Sequence, residues 1–290
     1  MKTASMLTGL IFFIFLTMGW ASQGVDYTHH QDISYLTPDR SEKLDLYIPK
    51  KAKGKLPVVL YIHGGGWTQG DKAWGLEKPN CEALAKAGYA VASINYKLNS
   101  KKTCDAYPQN IYDCKTAIRF LRKESATYGL DPQRIAVAGG SAGGHLAMLM
   151  AYTPEVKELN QGALYPEYSA SVSCVINLFG VADVRSWGRA SFVDIAKCGP
   201  QEAERILVLV SPITHITAKT VPTLVIHGSK DPTVPFTQAE ALVKRLADCG
   251  VQHKFIPIEN GEHAFPIIPH LRNVNTNLVP EVLLFLKQHL

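Results

Sequence analysis

The sequence predicts a doubly wound α/β protein, a mostly parallel sheet covered by helices on both faces. Three observations carry that prediction. Short runs rich in Val, Ile and Leu recur along the chain, these runs are continuously apolar rather than alternating, and segments with helical spacing separate them. Continuous apolarity fits strands buried on both sides, and parallel strands need a helix-sized crossover to join them. With 290 residues, 46% hydrophobic and 19% charged, the chain can bury such a sheet, and no repeat, low-complexity stretch or long linker divides it.

The elements follow in order. In the leading segment Lys2 is the only charge before the apolar run "LTGLIFFIFLTM" (7–18), and Gly19 and Ala21 supply small residues at a cleavage position. It reads as a signal peptide over 1–21, with a mature domain over 22–290 that is secreted or periplasmic. The run is shorter than the roughly 20 residues a membrane span needs, so no stable membrane anchor is expected after cleavage. "DISYL" (32–36) and "KLDLYIP" (43–49) alternate in the manner of an antiparallel hairpin at the sheet edge. Buried strands are expected at 56–64, 89–96, 134–140, 174–180, 222–228 and 253–259. Helices are expected at 77–88, 108–129, 142–152, 236–250 and 279–290, with Gly88, Gly129 and Gly250 where C-terminal caps belong. Residues 181–220 are the least regular part, with room for a small lid and a turn at Pro212.

Composition excludes several functions. The formal net charge is +5, to which Lys2 contributes one, and no run of five or more Lys or Arg occurs. Nucleic-acid binding calls for a clustered basic face, so no nucleic-acid partner is expected, and "KKAKGK" (50–55) reads as a solvated turn. Six cysteines allow 15 pairings that spacing cannot resolve. Some disulfides fit an exported chain, while Cys114, on the apolar face of a helix, and Cys174, opening a strand, read as buried thiols. There is no CxxC pair to build a structural zinc site.

The chemistry concentrates at the ends of the expected strands, where open α/β sheets hold their active sites. Gly139-Gly140-Ser141-Ala142-Gly143 fits G-x-S-x-G between a strand and a helix. A serine in so tight a turn can present its Oγ only where the flanking backbones come close, and Gly139 and Gly143 carry no Cβ to block them. "HGGGW" (63–67) follows the first buried strand, and a glycine run can turn its amides toward one point. A tetrahedral intermediate needs such preorganised donors, so Gly65, Gly66 and Ala142 are the candidate oxyanion-hole N–H groups. His63 reads as a residue that fixes the loop.

A serine hydroxyl also needs a base, and the base an acid. Asp231 in "HGSKDPTVP" (227–235) and His263 in "NGEHAF" (260–265) each sit just past a strand. The order Ser141, Asp231, His263 is that of the α/β-hydrolases. Asp183 is the alternative acid. Glu262 adjoins His263 too closely in sequence to reach its imidazole. His227 and His145 read as packed or loop-bonding residues, and His29, His30, His215, His253 and His270 lack a glycine-bounded turn at a strand end. Trp67 and Trp187 fit either a pocket wall or loop packing.

Together "LYIHGGGWTQGDK", "GGSAGGHLA", "SPITHI", "HGSKDPTVP" and "NGEHAF" resemble the esterase/lipase group of α/β-hydrolases with an HGGG oxyanion loop. The resemblance runs from about residue 41 onward and is nearest to small carboxylesterases with feruloyl and acetylxylan esterase-like members, less close to the hormone-sensitive lipase group. It implies an eight-stranded, mostly parallel α/β-hydrolase sheet, no metal or organic cofactor, and hydrolysis of a small-molecule ester through an acyl-enzyme. Residues 181–220 are short for a full cap domain and the region before 56 is short for a two-helix cap, so short acyl groups, or acyl groups on a bulky partner, fit better than long-chain lipid. Amide hydrolysis of the arylformamidase or prolyl-oligopeptidase kind is the second reading, and a non-catalytic binding protein the third.

Overall fold

The computed structural model describes residues 26–50, 53–100, 104–188, 198–268 and 277–290. The expected signal peptide and His270 lie outside these residues. Eight strands form one sheet in the order β1-β2-β4-β3-β5-β6-β7-β8. They are β1 Tyr27–Ile33, β2 Leu44–Pro49, β3 Leu56–Ile62, β4 Ala90–Ile94, β5 Leu130–Gly140, β6 Cys174–Leu178, β7 Thr223–Gly228 and β8 His253–Ile258. β1 pairs antiparallel with β2, β2 pairs antiparallel with β4, and every pair from β4 to β8 is parallel. This is the mostly parallel sheet that the apolar runs predict, with the eight strands that the resemblance to the α/β-hydrolases implies.

The continuous runs are explained by two cores. Along β3, Val58, Leu60 and Ile62 face one core while Val59 and Tyr61 face the other, and β5 divides in the same way between Ile135/Val137 and Ala136/Ala138. The helices α2 (Gln109–Lys123), α4 (Ala142–Tyr152) and α7 (Thr237–Asp248) cover the first face. The opposite face lies under α1 (Glu77–Lys86) and α8 (Val279–His289), the last helix in the chain. Gly88, Gly129 and Gly250 all have positive φ just beyond helical segments. Cys81, Cys114 and Cys174 are wholly buried and, like Cys249, are free thiols. For Cys114 and Cys174 that is the packed role their apolar surroundings imply.

The departures are local. The first strand is Tyr27–Ile33, not 32–36: the chain bends at Asp32 (φ +56) and Tyr35 leaves the edge to bury its ring in the core. The helix expected over 108–129 is broken at Glu124, giving α2 and a separate turn, α3 (Ser125–Tyr128). β5 begins at Leu130, four residues before the expected start. Within 181–220 lie α5 (Val184–Trp187) and α6 (Pro200–Leu209), followed by a 3-10 turn at Pro212–His215. Residues 189–197, in the middle of the expected lid region, are outside the described set.

Topology fixes where a site can form. From β3 the chain crosses to β4 on one side, and β5 returns to pair with β3 on the other. Strand order therefore reverses between β3 and β5, and the crevice outside their carboxyl ends is where open α/β sheets bind ligands. Ile62, the last residue of β3, pairs with Gly139 of β5, so "HGGGW" and Ser141 emerge side by side.

Candidate active site

Ser141 stands between β5 and α4 with φ +56 and ψ −121, a strained backbone for any residue with a side chain. The strain is held by packing on both sides. A Cβ at Gly139 would come within 2.5 Å of the Gly143 carbonyl group, and one at Gly143 within 2.0 Å of the Ile62 carbonyl oxygen. The Ser141 N–H donates to Leu178 O at 2.9 Å, and its carbonyl accepts from His145 N–H at 3.0 Å, which ties the turn to β6 and to the first turn of α4.

Three of the sequence candidates form one hydrogen-bonded chain. Nδ1 of His263 lies 2.6 Å from Oδ2 of Asp231, and Nε2 lies 2.9 Å from Oγ of Ser141. An ionised carboxylate only accepts, so Nδ1 carries the proton and the Nε2 lone pair faces the serine hydroxyl. The other Asp231 oxygen accepts from the N–H groups of Thr233 and Val234 at 2.8 and 2.9 Å. Burial raises the pKa of this carboxyl, but the bonds from His227, His263 and Val234 outweigh it and hold it well below the usual carboxylate range.

The remaining histidines separate cleanly. His63 is buried, bonds the Gly64 carbonyl at 2.7 Å through Nδ1 and stacks on Tyr96 at 4.4 Å. Burial pushes its pKa down to about 4, so it is neutral and braces the glycine loop from below. His145 is equally buried, with a pKa lowered to about 4, and contacts Val210 O at 2.7 Å. Asp183 caps α5 and pairs with Arg185 at 2.9 Å, away from His263, and Glu262 is exposed. His29, His215 and His253 bond Asp45, Leu209 O and Val251 O in turn, and His30 is exposed at the edge strand.

Above the serine, Gly65 (φ +106) and Gly66 (φ +62) turn the loop after β3 toward the cavity. At Gly65 glycine is obligatory, since a Cβ would lie 2.0 Å from Gln69 O, whereas at Gly66 it would meet nothing closer than 3.9 Å. Among the described residues no backbone carbonyl or side chain accepts from the N–H groups of Gly65, Gly66 or Ala142. Ala142 is the first residue of α4, whose N-terminal dipole adds positive potential at the same point.

The cavity over this chain has a volume of about 700 Å³. Both tryptophans of uncertain role line it: Trp67 and Trp187 meet edge to face at 5.6 Å, and Trp187 Nε1–H donates to Thr233 O at 3.0 Å. Sequence reasoning missed three supporting residues and, for His227, which it read as packed or loop-bonding, the contact with the acid. His227 Nε2 lies 3.3 Å from the same Asp231 oxygen that His263 uses and 2.8 Å from Val234 O; its position four residues before the acid was the available signal. Phe179, at φ +42, sets its ring edge to face with that of His263 at 5.0 Å. Glu77 accepts from the Gly64 N–H at 3.4 Å. Lys72 pairs with Asp32 and Asp45 at 2.9 and 3.0 Å, tying the glycine loop to the edge hairpin. No local pattern marks these last three.

Among the described residues no three His, Cys, Asp or Glu side chains are placed to hold a metal ion, and no helix is long and apolar enough to cross a membrane.

Comparison with known proteins agrees with this fold. A family model described as BD-FAE matches residues 44–246. A "probable carboxylic ester hydrolase", LipM of Mycobacterium tuberculosis, is 32% identical over 88% of this chain and 61% of its own length. Esterase LipC of the same organism is 32% identical over 90% and 66%. The chain thus spans about three fifths to two thirds of these relatives. Among solved structures, a truncated carbohydrate esterase from gut microbiota superposes with a TM-score of 0.79 at 26% identity, covering 92% of this chain and 99% of that one. Esterase Est2 of Thermogutta terrifontis with bound propionate gives 0.70 at 26% identity, covering 92% and 94%. The family match takes in β2 through α7, with the glycine loop, the strained serine turn and Asp231, and on that ground the chain belongs to the BD-FAE family of α/β-hydrolases.

Proposed function

We propose that the protein is an exported serine carboxylesterase that hydrolyses short-chain, or aryl- or sugar-linked, carboxylic esters through an acyl-enzyme. The observation that carries this reading is the continuous chain from Ser141 Oγ through His263 to Asp231 at the base of the cavity. His263 Nε2 takes the hydroxyl proton as Oγ attacks the ester carbonyl, and Asp231 stabilises the imidazolium. The carbonyl oxygen, now negative, is held by the N–H groups of Gly65, Gly66 and Ala142. Collapse expels the alcohol, which takes its proton from Nε2. Water then loses a proton to Nε2, attacks the acyl carbonyl and releases the acid and the free serine.

A short or compact acyl group is favoured because Trp67 and Trp187 close one wall of the cavity at the serine. The names of the relatives point the same way, since they are esterases and a carbohydrate esterase. Export rests on the apolar segment 7–18.

The test is a p-nitrophenyl acetate burst together with stoichiometric labelling by a fluorophosphonate, both lost in Ser141→Ala, with turnover falling on the order of a million-fold. A folded Ser141→Ala variant with full activity would refute the proposal. Parallel assays on formanilide and peptide substrates separate ester from amide hydrolysis.

A further inference from the structure

His227 is a wholly buried imidazole near the end of β7, a strand whose Leu224, Val225 and Ile226 feed the two cores. Its Nδ1 has no hydrogen-bond partner among the described residues. Burying a polar ring with one nitrogen unsatisfied is unfavourable, and an aliphatic side chain at 227 would avoid that cost. The reason for a histidine therefore lies with its other nitrogen.

Nε2 lies 2.8 Å from Val234 O and 3.3 Å from Asp231 Oδ2. A carbonyl oxygen only accepts, so Nε2 carries a proton, with a shorter arm to Val234 and a longer one to the carboxylate. The ring is held in place: Phe236 meets it edge to face at 5.9 Å, and its strand is paired on both sides, with β6 and β8. The same Oδ2 accepts from His263 Nδ1 at 2.6 Å, while Oδ1 takes the N–H groups of Thr233 and Val234. Val234 is thus tied twice, by its N–H to the carboxylate and by its carbonyl to the ring.

For His263 this has two effects. A carboxylate fixed at both oxygens presents Oδ2 to Nδ1 in one orientation, and so aims Nε2 at Ser141. A second N–H at Oδ2 also draws off part of its negative charge, so the carboxylate favours the imidazolium less than it would alone, and the ring remains a free base further into acid. The other ionisable groups of this corner are Lys230 and Glu262, both exposed, Asp183, which pairs with Arg185, and Asp71 and Glu77 on the cavity wall. Among the described residues only His227 and His263 pair with Asp231.

We propose that His227 is a positioning residue of the candidate triad, its Nε2–H acting on His263 through Asp231, both to hold the carboxylate and to weaken its grip on the imidazolium. This role presupposes the serine esterase proposed above and adds a fourth side chain to its machinery.

The test measures kcat/KM for p-nitrophenyl acetate against pH in the full-length protein, as wild type, as His227→Leu, which removes the N–H, and as His227→Gln, whose amide carries an N–H about as far from the backbone as Nε2. The acid limb of this profile reports the ionisation of the free enzyme's base, His263. His227→Leu moves that limb up by about half a unit to one unit, and His227→Gln returns it to within about 0.2 unit of wild type. An unshifted limb in a folded His227→Leu variant, whatever its kcat, would overturn the role, as would a limb displaced equally in both variants; either leaves the esterase standing. NMR of the histidine ring nitrogens in the wild type needs no variant: the His227 proton is expected on Nε2, and a proton on Nδ1 alone would overturn the proposal. A wild type inert toward the ester would overturn the esterase reading itself.

Discussion

Asp231→Asn is the most informative single change. The Asp231 side chain faces two backbone donors through Oδ1, Thr233 and Val234, and two imidazoles through Oδ2, His263 at 2.6 Å and His227 at 3.3 Å. An asparagine must put its oxygen toward the two N–H groups, because the reverse orientation would set an NH₂ against both. The amide nitrogen then faces His263 Nδ1 and donates to it. That forces the imidazole proton onto Nε2, pointed at Ser141 Oγ, and the base loses the lone pair it needs. The two backbone bonds to Thr233 and Val234 survive while the His227 contact is lost, so the fold should persist with a somewhat lowered melting temperature. A wrong tautomer of this kind lowers kcat on the order of 10⁴-fold, about 5 kcal/mol of barrier. Steady-state p-nitrophenyl acetate kinetics would show the loss in kcat with KM little changed, and fluorophosphonate labelling would slow in parallel. Retention of kcat within tenfold, in a folded Asp231→Asn variant, would mean that His263 is not oriented by this carboxylate.

Two further outcomes are expected. Gly65→Ala forces a Cβ onto Gln69 O and displaces a candidate oxyanion donor, so kcat should fall about a hundred- to a thousandfold; Gly66→Ala meets open space and bears only the backbone strain of its positive φ, so its loss should be the smaller when both are assayed on the same ester. His63 and His145 have folded-state pKa values lowered to about 4 by burial, below the unfolded value of about 6.5. Their neutral forms are fully accommodated above pH 6.5, and stability is lost as the pH falls from there toward 4, when the unfolded chain protonates first. Urea denaturation at pH 7 and 4.5 should show a loss of about 2–3 kcal/mol for each histidine, and equal stabilities at the two pH values would contradict their burial.

How much of this was legible in the sequence depended on whether a feature was local. Strands buried on both faces write themselves as unbroken apolar runs, and α4 begins and ends where its pattern does, at Ala142 and Tyr152. The glycines around Ser141 were legible for the same reason, because the clash they avoid is between residues four apart and the neighbouring strand end. β1 was misplaced because its sequence, "YTHHQDI", is an edge strand with one side in water and no apolar alternation; β2 fixes its register, and a bulge falls between His30 and Ile33. The break at Glu124 leaves no Pro or Gly to announce it. α6 did carry a signal, Gly199-Pro200 ahead of an amphipathic stretch, which the surrounding irregular sequence obscured. Contacts such as His227 with Asp231, Phe179 with His263, or Lys72 with Asp45 depend on tertiary placement.

The Lys72 clamp changes what counts as the smallest working piece of this protein. The family match begins at Leu44, inside β2, and so omits β1 and Asp32. Yet Asp32 supplies one of the two carboxylates on Lys72, and its own N–H donates to Asp45 at 3.0 Å. A chain trimmed only at its N-terminal side, to Leu44, would keep every candidate catalytic atom while opening Asp45 to water and releasing one side of the loop that carries Gly65 and Gly66. The edge hairpin is thus a buttress for the oxyanion loop, and a functional unit has to be counted from β1 rather than from the first recognisable motif.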